Sequence, residues 1–217
     1  GDILGREQSG HMSAVGLDLY CKMLADAVAT LKGENGDGGA SVSVDLPLEA
    51  VVPASYVPGE RQRIDLYRRL ANVDDLDELK DIVTEMKDRY GDPPQPVRNL
   101  VTIARIKLRC SRAGVTDINS DKDEVTVRLA DETRLSSKEV RVLEGIYVPS
   151  RREARKGAKS PLPRAVFRRQ QISFGYSKKD PQAIIPALND LLQRLIDRRH
   201  GPDKWDAVRE NAPSAAK

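Results

Sequence analysis

The chain has 217 residues, 39% of them hydrophobic and 32% charged, enough for one ordinary core, with or without a satellite helical piece, beneath a heavily charged surface. Aromatic residues make up only 4%, which argues against base- or sugar-stacking platforms, and no run of about 18 apolar residues is present to span a membrane. The net charge of +3 is too small to announce a nucleic-acid partner, yet it hides an asymmetry: residues 151–179 hold ten Lys and Arg against the single acid Glu153, and the remainder is mildly acidic.

Two cysteines, Cys21 and Cys110, lie far apart and neither has a Cys or His at metal-ligand spacing. They read as reduced thiols of a cytoplasmic protein, in keeping with the lack of a signal peptide. The chain opens on Gly1, and its first ten residues read as the interior of a longer protein.

In chain order, GDILGREQSG at 1–10 is rich in Gly and polar residues and predicts a loop. Leu17, Tyr20, Leu24, Val28 and Leu31 recur at three- and four-residue spacings, the stripe of an amphipathic helix that stops at Gly33. Four glycines in GENGDGGA predict a flexible linker over 33–41 and a domain boundary. Val42, Val44 and Leu46 then alternate with polar residues as a half-buried strand.

Three helices follow. The first carries Ile64, Tyr67, Leu70 and Ala71 on one side. The second begins with Asp75 and Glu78 in capping-box spacing, buries Leu76, Leu79, Val83, Met86 and Tyr90, and ends at Gly91 ahead of Pro93. The third starts near Pro96, buries Val97, Leu100, Val101, Ala104 and Leu108, and ends at Gly114. Val115–Ile118 and Glu124–Leu129 predict a hairpin turning over Asn119–Asp123, and Ser136–Ile146 a further helix. The basic stretch from Arg151 opens as a Gly/Pro-containing loop, Val166–Phe174 reads as a strand, and Pro181–His200 as the last helix. The tail 201–217 is expected to fray. The fold class is α+β: a helical N-terminal segment joined by a flexible linker to a compact domain, residues 42–200, of helices on a small, mainly antiparallel sheet.

Catalytic chemistry finds little support. The glycines of 33–40 are accompanied by Glu34 and Asp37, which repel phosphate, and no Gly-Lys-Ser/Thr follows. His11 and His200 are the only histidines, and no nucleophile elbow accompanies either. Asp81, Glu85 and Asp88 stand at i, i+4 and i+7 on the second helix, an acidic stripe with Arg89 placed to pair with Glu85. Three readings stay open for it: a solvated helix face, a divalent-cation site, or a docking surface for arginines on a partner. Arg151, Arg152, Arg155 and Lys156 are candidates for salt-sensitive contact with a DNA backbone, against a plain solvated loop.

Two segments carry a family resemblance. GDILGREQSGHMSAVGLDLYCKMLADAV is similar to the end of the second motor domain of bacterial transcription-repair coupling factors, with a G-x-x-L-G-x-x-Q-S-G pattern shared with the RecG helicases. VSVDLPLEAVVPASYVPGERQRIDLYRRLANVDDLDELKDIVTEMKDRYGDPPQPVRNLVTIARIKLRC resembles the C-terminal domain of the coupling factors, and together the two segments cover roughly Gly1 to Asp117. Leu17 departs from the Phe usual in the family.

The resemblance implies that residues 1–32 are the end of the motor, in which Gly5, Gln8, Ser9 and Gly10 belong to a translocation motif coupling ATP hydrolysis to movement on DNA. It implies an ATP-driven double-stranded DNA translocase that displaces stalled RNA polymerase and recruits the excision-repair protein UvrA. ATP and Mg would belong to the full-length protein. This chain would be no enzyme by itself and would hold no cofactor. Its C-terminal domain would dock on the N-terminal UvrB-like module and mask the UvrA-binding surface. The family's E-x-x-D-R docking pattern falls on Glu85, Asp88 and Arg89, with Asp81 extending the same stripe. The alternative is a DNA-contacting accessory domain working through residues 151–179.

Overall fold

The computed structural model describes residues 42–147 and 165–199. The expected motor-end helix, the linker, the start of the basic segment and the tail lie outside the described residues. The described residues fall into two compact units.

The first unit, Leu48–Leu108, holds helix α1 (Glu60–Ala71), helix α2 (Leu76–Tyr90) and most of helix α3 (Gln95–Ala113). Its three helices form where periodicity predicts them. Helices α1 and α2 bury one narrow face each, whereas α3 also buries Ile103, Ile106 and Cys110 and so is covered over more than one face. Ile64, Ala71 and Leu108 of the predicted stripes are only half-buried. Leu66, Tyr67 and Leu70 are buried on α1, Leu79, Ile82 and Met86 on α2, and Val97, Leu100, Val101 and Ala104 on α3. The stripe of α2 runs through Ile82 instead of Val83, and Leu76 stays exposed, since Leu79, Ile82 and Met86 at i, i+3 and i+7 already complete one face. The loop before α1 is tied down by its polar groups. The Tyr67 hydroxyl accepts from the Val52 amide at 2.7 Å, and Asn99 of α3 donates to the Glu49 carbonyl at 2.7 Å.

The second unit, Val42–Pro47 with residues from Arg109 onward, is built on a five-stranded sheet. Its strands are β1 (Ser43–Val44), β2 (Val115–Asp121), β3 (Glu124–Leu129), β4 (Ala165–Phe167) and β5 (Gln171–Gly175), in the order β1-β2-β3-β5-β4. β1 pairs parallel with β2 and all other neighbours are antiparallel, so the sheet is mixed but mainly antiparallel. Helices α4 (Ser137–Tyr147) and α5 (Ile184–Arg199) complete the unit.

The β2–β3 hairpin is longer than the sequence predicts. Pairing continues through Asn119, Ser120 and Asp121 and closes over Lys122 and Asp123, with Lys122 in the left-handed region at φ 52°. Tyr176 holds that turn, its amide donating to the Asp123 carbonyl at 2.9 Å and its hydroxyl to the Lys122 carbonyl at 3.0 Å. The single strand expected over Val166–Phe174 is instead the β4–β5 hairpin. Four successive polar residues, Arg168 to Gln171, interrupt the alternation, and the Arg168 amide donating to the Gln171 carbonyl at 2.8 Å closes the turn.

The inner face of the sheet buries Val115, Ile118, Val125, Val127, Leu129, Ile172 and Phe174. Phe174 meets Tyr147 and Phe167 with ring centroids 5.6 and 5.8 Å away, both edge-to-face. At the end of α3, Gly114 takes φ 71°, and a Cβ there would meet Thr133 Cγ2 at 2.1 Å, so glycine is required twice over. Most polar groups inside this unit are paired, Arg109 Nε and Asn189 Oδ1 being buried without a partner among the described residues. Tyr147 donates to Asp190, which also accepts from Arg194 Nε at 2.8 Å. Arg198 joins α5 to α4 through Glu139 at 2.6 Å and donates to the carbonyls of Thr133 and Arg134 at 2.6 and 2.9 Å.

Candidate functional site

The acidic stripe sits on α2, whose two ends are both held. Asp75 Oδ1 accepts from the amides of Asp77 and Glu78 at 2.9 and 2.8 Å, satisfying donors that the helix cannot satisfy itself. Glu78 reaches back to the amide of Asp74 at 3.0 Å, one residue earlier than capping-box spacing predicts. At the other end the single Tyr56 O–H is shared between the carbonyls of Gly91 and Met86, at 2.9 and 3.2 Å. Burial pushes the Tyr56 phenol above its usual range, with the Asp92 and Tyr90 charges adding to it. Gly91 follows at φ 84° and ends the helix.

Along the stripe the three acids differ. Asp81 and Asp88 are exposed, and neither has a side-chain hydrogen bond or ion pair with another described residue. Glu85 is half-buried and engaged on both oxygens. Its Oε2 meets Arg69 Nη2 of α1 at 2.7 Å, and its Oε1 meets Arg89 Nη1, one turn on, at 2.9 Å. The Arg69 hydrogen bond, followed by that of Arg89, holds the Glu85 carboxyl below its ordinary range, and the same bond raises the Arg69 guanidinium. Arg89 also lies over the Tyr90 ring, 5.7 Å from its centroid. A groove of about 250 Å³ runs between the two helices, walled by Arg61, Asp65 and Arg69 on one side and Glu85, Arg89 and Tyr90 on the other.

The pairing of Arg89 with Glu85 was legible from spacing; that of Arg69 was not, because sixteen residues and a helix turn separate Arg69 from Glu85. One signal pointed toward it. Arg69 is next to Leu70 of the predicted α1 stripe, and so stands at the margin of the face that α1 buries. Among the described residues no group of three or more His, Cys, Asp or Glu is arranged to hold a metal ion. The stripe presents one ordered carboxylate, Glu85, and two open ones, Asp81 and Asp88.

The remaining predicted site residues lie elsewhere. Gly5, Gln8, Ser9 and Gly10, and likewise Arg151, Arg152, Arg155 and Lys156, are outside the described residues. Within the described part of the basic segment, Arg169 Nε donates to the Leu135 carbonyl at 3.1 Å and so serves the β4–β5 hairpin. Cys110 is fully buried, and burial lifts its thiol to about 12, which leaves it inert toward nucleophilic chemistry. No described helix is long and apolar enough to cross a membrane.

Comparison with known proteins bears on the same region. Residues 46–140 match the model of the TRCF domain family. The transcription-repair-coupling factors of Mycobacterium bovis and Mycobacterium tuberculosis are each 34% identical over 176 residues, 76% of this chain and 14% of theirs. That of Bacillus subtilis is 34% identical over 133 residues, 61% of this chain and 11% of the relative. The chain thus spans about one seventh or less of the length of these relatives. A solved C-terminal domain of transcription-repair coupling factor superposes with a TM-score of 0.54 over 73% of this chain and 95% of that one; at 14% identity the likeness is one of fold.

Proposed function

The chain belongs to the TRCF domain family of the transcription-repair coupling factors, and on that premise we propose that it is the regulatory and docking C-terminal part of an ATP-dependent DNA translocase. The docking surface is the α2 stripe of Asp81, Glu85, Asp88 and Arg89. Its partner is the N-terminal UvrB-like module of the same protein, and docking masks the surface through which that module binds UvrA. ATP hydrolysis, movement on double-stranded DNA and displacement of RNA polymerase belong to the rest of the full-length protein.

The observation that carries this reading is the exposure of Asp81 and Asp88 on either side of an ordered Glu85, on a helix capped at both ends. A guanidinium meeting this face finds acceptors at fixed spacing, which suits paired N–H···O contacts. Single exposed ion pairs contribute little, so the contact works through several of them together.

The test is a binding titration of the full chain against the separately prepared N-terminal module. Saturable, salt-sensitive binding that falls by roughly tenfold or more in the Glu85→Arg, Asp88→Arg double variant is expected. Equal affinity of the double variant and the unaltered chain would refute the docking reading.

A further inference from the structure

We propose that Arg69, on α1, is the positioning residue of this docking face: it holds Glu85 from the neighbouring helix and so presents the carboxylate already ordered, while Arg89 is the exchangeable partner that gives way to an incoming guanidinium. The inference rests on the docking reading and goes beyond it by assigning unequal roles to the two arginines that share one carboxylate.

The two contacts differ in what they cost to break. Arg69 Nη2 to Glu85 Oε2, at 2.7 Å, is a tertiary contact, and the Arg69 side chain is 35% exposed. Arg89 Nη1 to Glu85 Oε1, at 2.9 Å, is an i,i+4 contact on the same helix, and the Arg89 side chain is 59% exposed. Pairs of the second kind are weak and readily screened. Arg89 also has the Tyr90 ring beside it when it leaves the carboxylate. Arg69 is held in the groove chiefly by its hydrogen bond to Glu85, with weaker attraction from Asp65 and Glu78.

Exchange at Oε1 is chemically reasonable because an ionised carboxylate offers about four acceptor positions, of which Arg69 occupies one. A glutamate free in solvent must lose rotamer freedom when a partner binds it; a glutamate already clamped has lost it beforehand. Asp88, three residues on and exposed, supplies the second acceptor beside the clamped one. Arg69 and Arg89 are the cations in contact with Glu85, and Arg61 and Asp65 of α1 line the same groove, so Arg89 remains on the carboxylate when Arg69 is neutralised.

The test has two arms on the full chain. In the first, the Glu85 carboxyl is titrated by NMR in the unaltered chain and in the Arg69→Gln, Arg69→Lys, Arg89→Gln and Arg68→Gln variants. Arg68 is an exposed neighbour that carries the same charge without the contact. The Glu85 midpoint is expected to rise most in Arg69→Gln, less in Arg89→Gln, least in Arg68→Gln, and to return toward the original in Arg69→Lys. In the second arm, affinity for the N-terminal module is expected to fall by roughly fivefold in Arg69→Gln and to recover in Arg69→Lys. Loss of affinity in Glu85→Gln but not in Arg69→Gln overturns this inference alone. No loss in Glu85→Gln overturns the docking reading and this inference with it, and a Glu85 midpoint that follows Arg68 as closely as Arg69 removes the clamp itself.

Discussion

Among the described residues glutamate meets arginine twice across helices, with opposite surroundings. In the first unit Glu85 and Arg69 bridge α2 and α1 with side chains 38% and 35% exposed. In the second, Glu139 and Arg198 bridge α4 and α5 with side chains 17% and 20% exposed. The second contact is also surrounded by fixed partners. Glu139 accepts from the Ser136 amide at 2.7 Å, Ser136 Oγ accepts from the Glu139 amide at 3.3 Å, and Arg198 donates to two carbonyls besides. An ion pair so enclosed is part of the architecture, since removing either member strands the other. An ion pair in water can trade partners at little cost, which is what the docking role proposed for the Glu85 face requires.

Three substitutions would break or sharpen this contrast. Phe174→Ala strikes the second unit hardest, because it empties the aromatic cluster of Tyr147, Phe167 and Phe174 on the inner face of the sheet. A loss of about 3–5 kcal/mol is expected in chemical denaturation. Glu139→Gln should cost about 2 kcal/mol, as Arg198 keeps its two carbonyl acceptors but loses its counter-charge. It should also change the pH dependence. Burial pushes the Glu139 carboxyl upward, but the Ser136 amide and hydroxyl and the Arg198 guanidinium outweigh it and leave the group below its ordinary 4.5. Its folded value being the lower one, its contribution is complete above about 4.5 and is lost as pH falls through the depressed folded value. The glutamine variant should therefore show a shallower acid-side loss of stability in melts between neutral pH and pH 3. Glu85→Gln should be the mildest, about 0.5 kcal/mol or less in the same denaturation experiment. A loss as large as that of Glu139→Gln would erase the distinction between an architectural and an exchangeable pair.

Most of helix α2 is legible in the sequence. Its start, stop and acidic stripe depend on residues within one turn of each other: Asp75 with Glu78, Gly91 with Pro93, Glu85 with Arg89. The alternation of Val42, Val44 and Leu46 likewise predicts burial correctly, with all three buried, although the paired strand is only Ser43–Val44. What escaped depends on residues far apart in the chain. The clamp of Arg69 on Glu85 and the bridge of Arg198 to Glu139 have no periodic signature. The β4–β5 hairpin differs: its turn does have a local mark, the four successive polar residues Arg168 to Gln171, but its strands are so short that Val166–Phe174 reads as one element.

The Tyr56 phenol carries a consequence of its own for the face that α2 displays. Asp88 lies in the last turn of the helix, where backbone hydrogen bonds run out and ends ordinarily unwind. Successive helical residues are set about 100° apart around the axis, so unwinding of the last turn would release Asp88 from its fixed alignment with Glu85. By bonding the Met86 and Gly91 carbonyls, Tyr56 fixes the rotational phase of the final turn. A residue thirty positions upstream, with no charge at neutral pH, thereby sets the angular aim of the acidic surface.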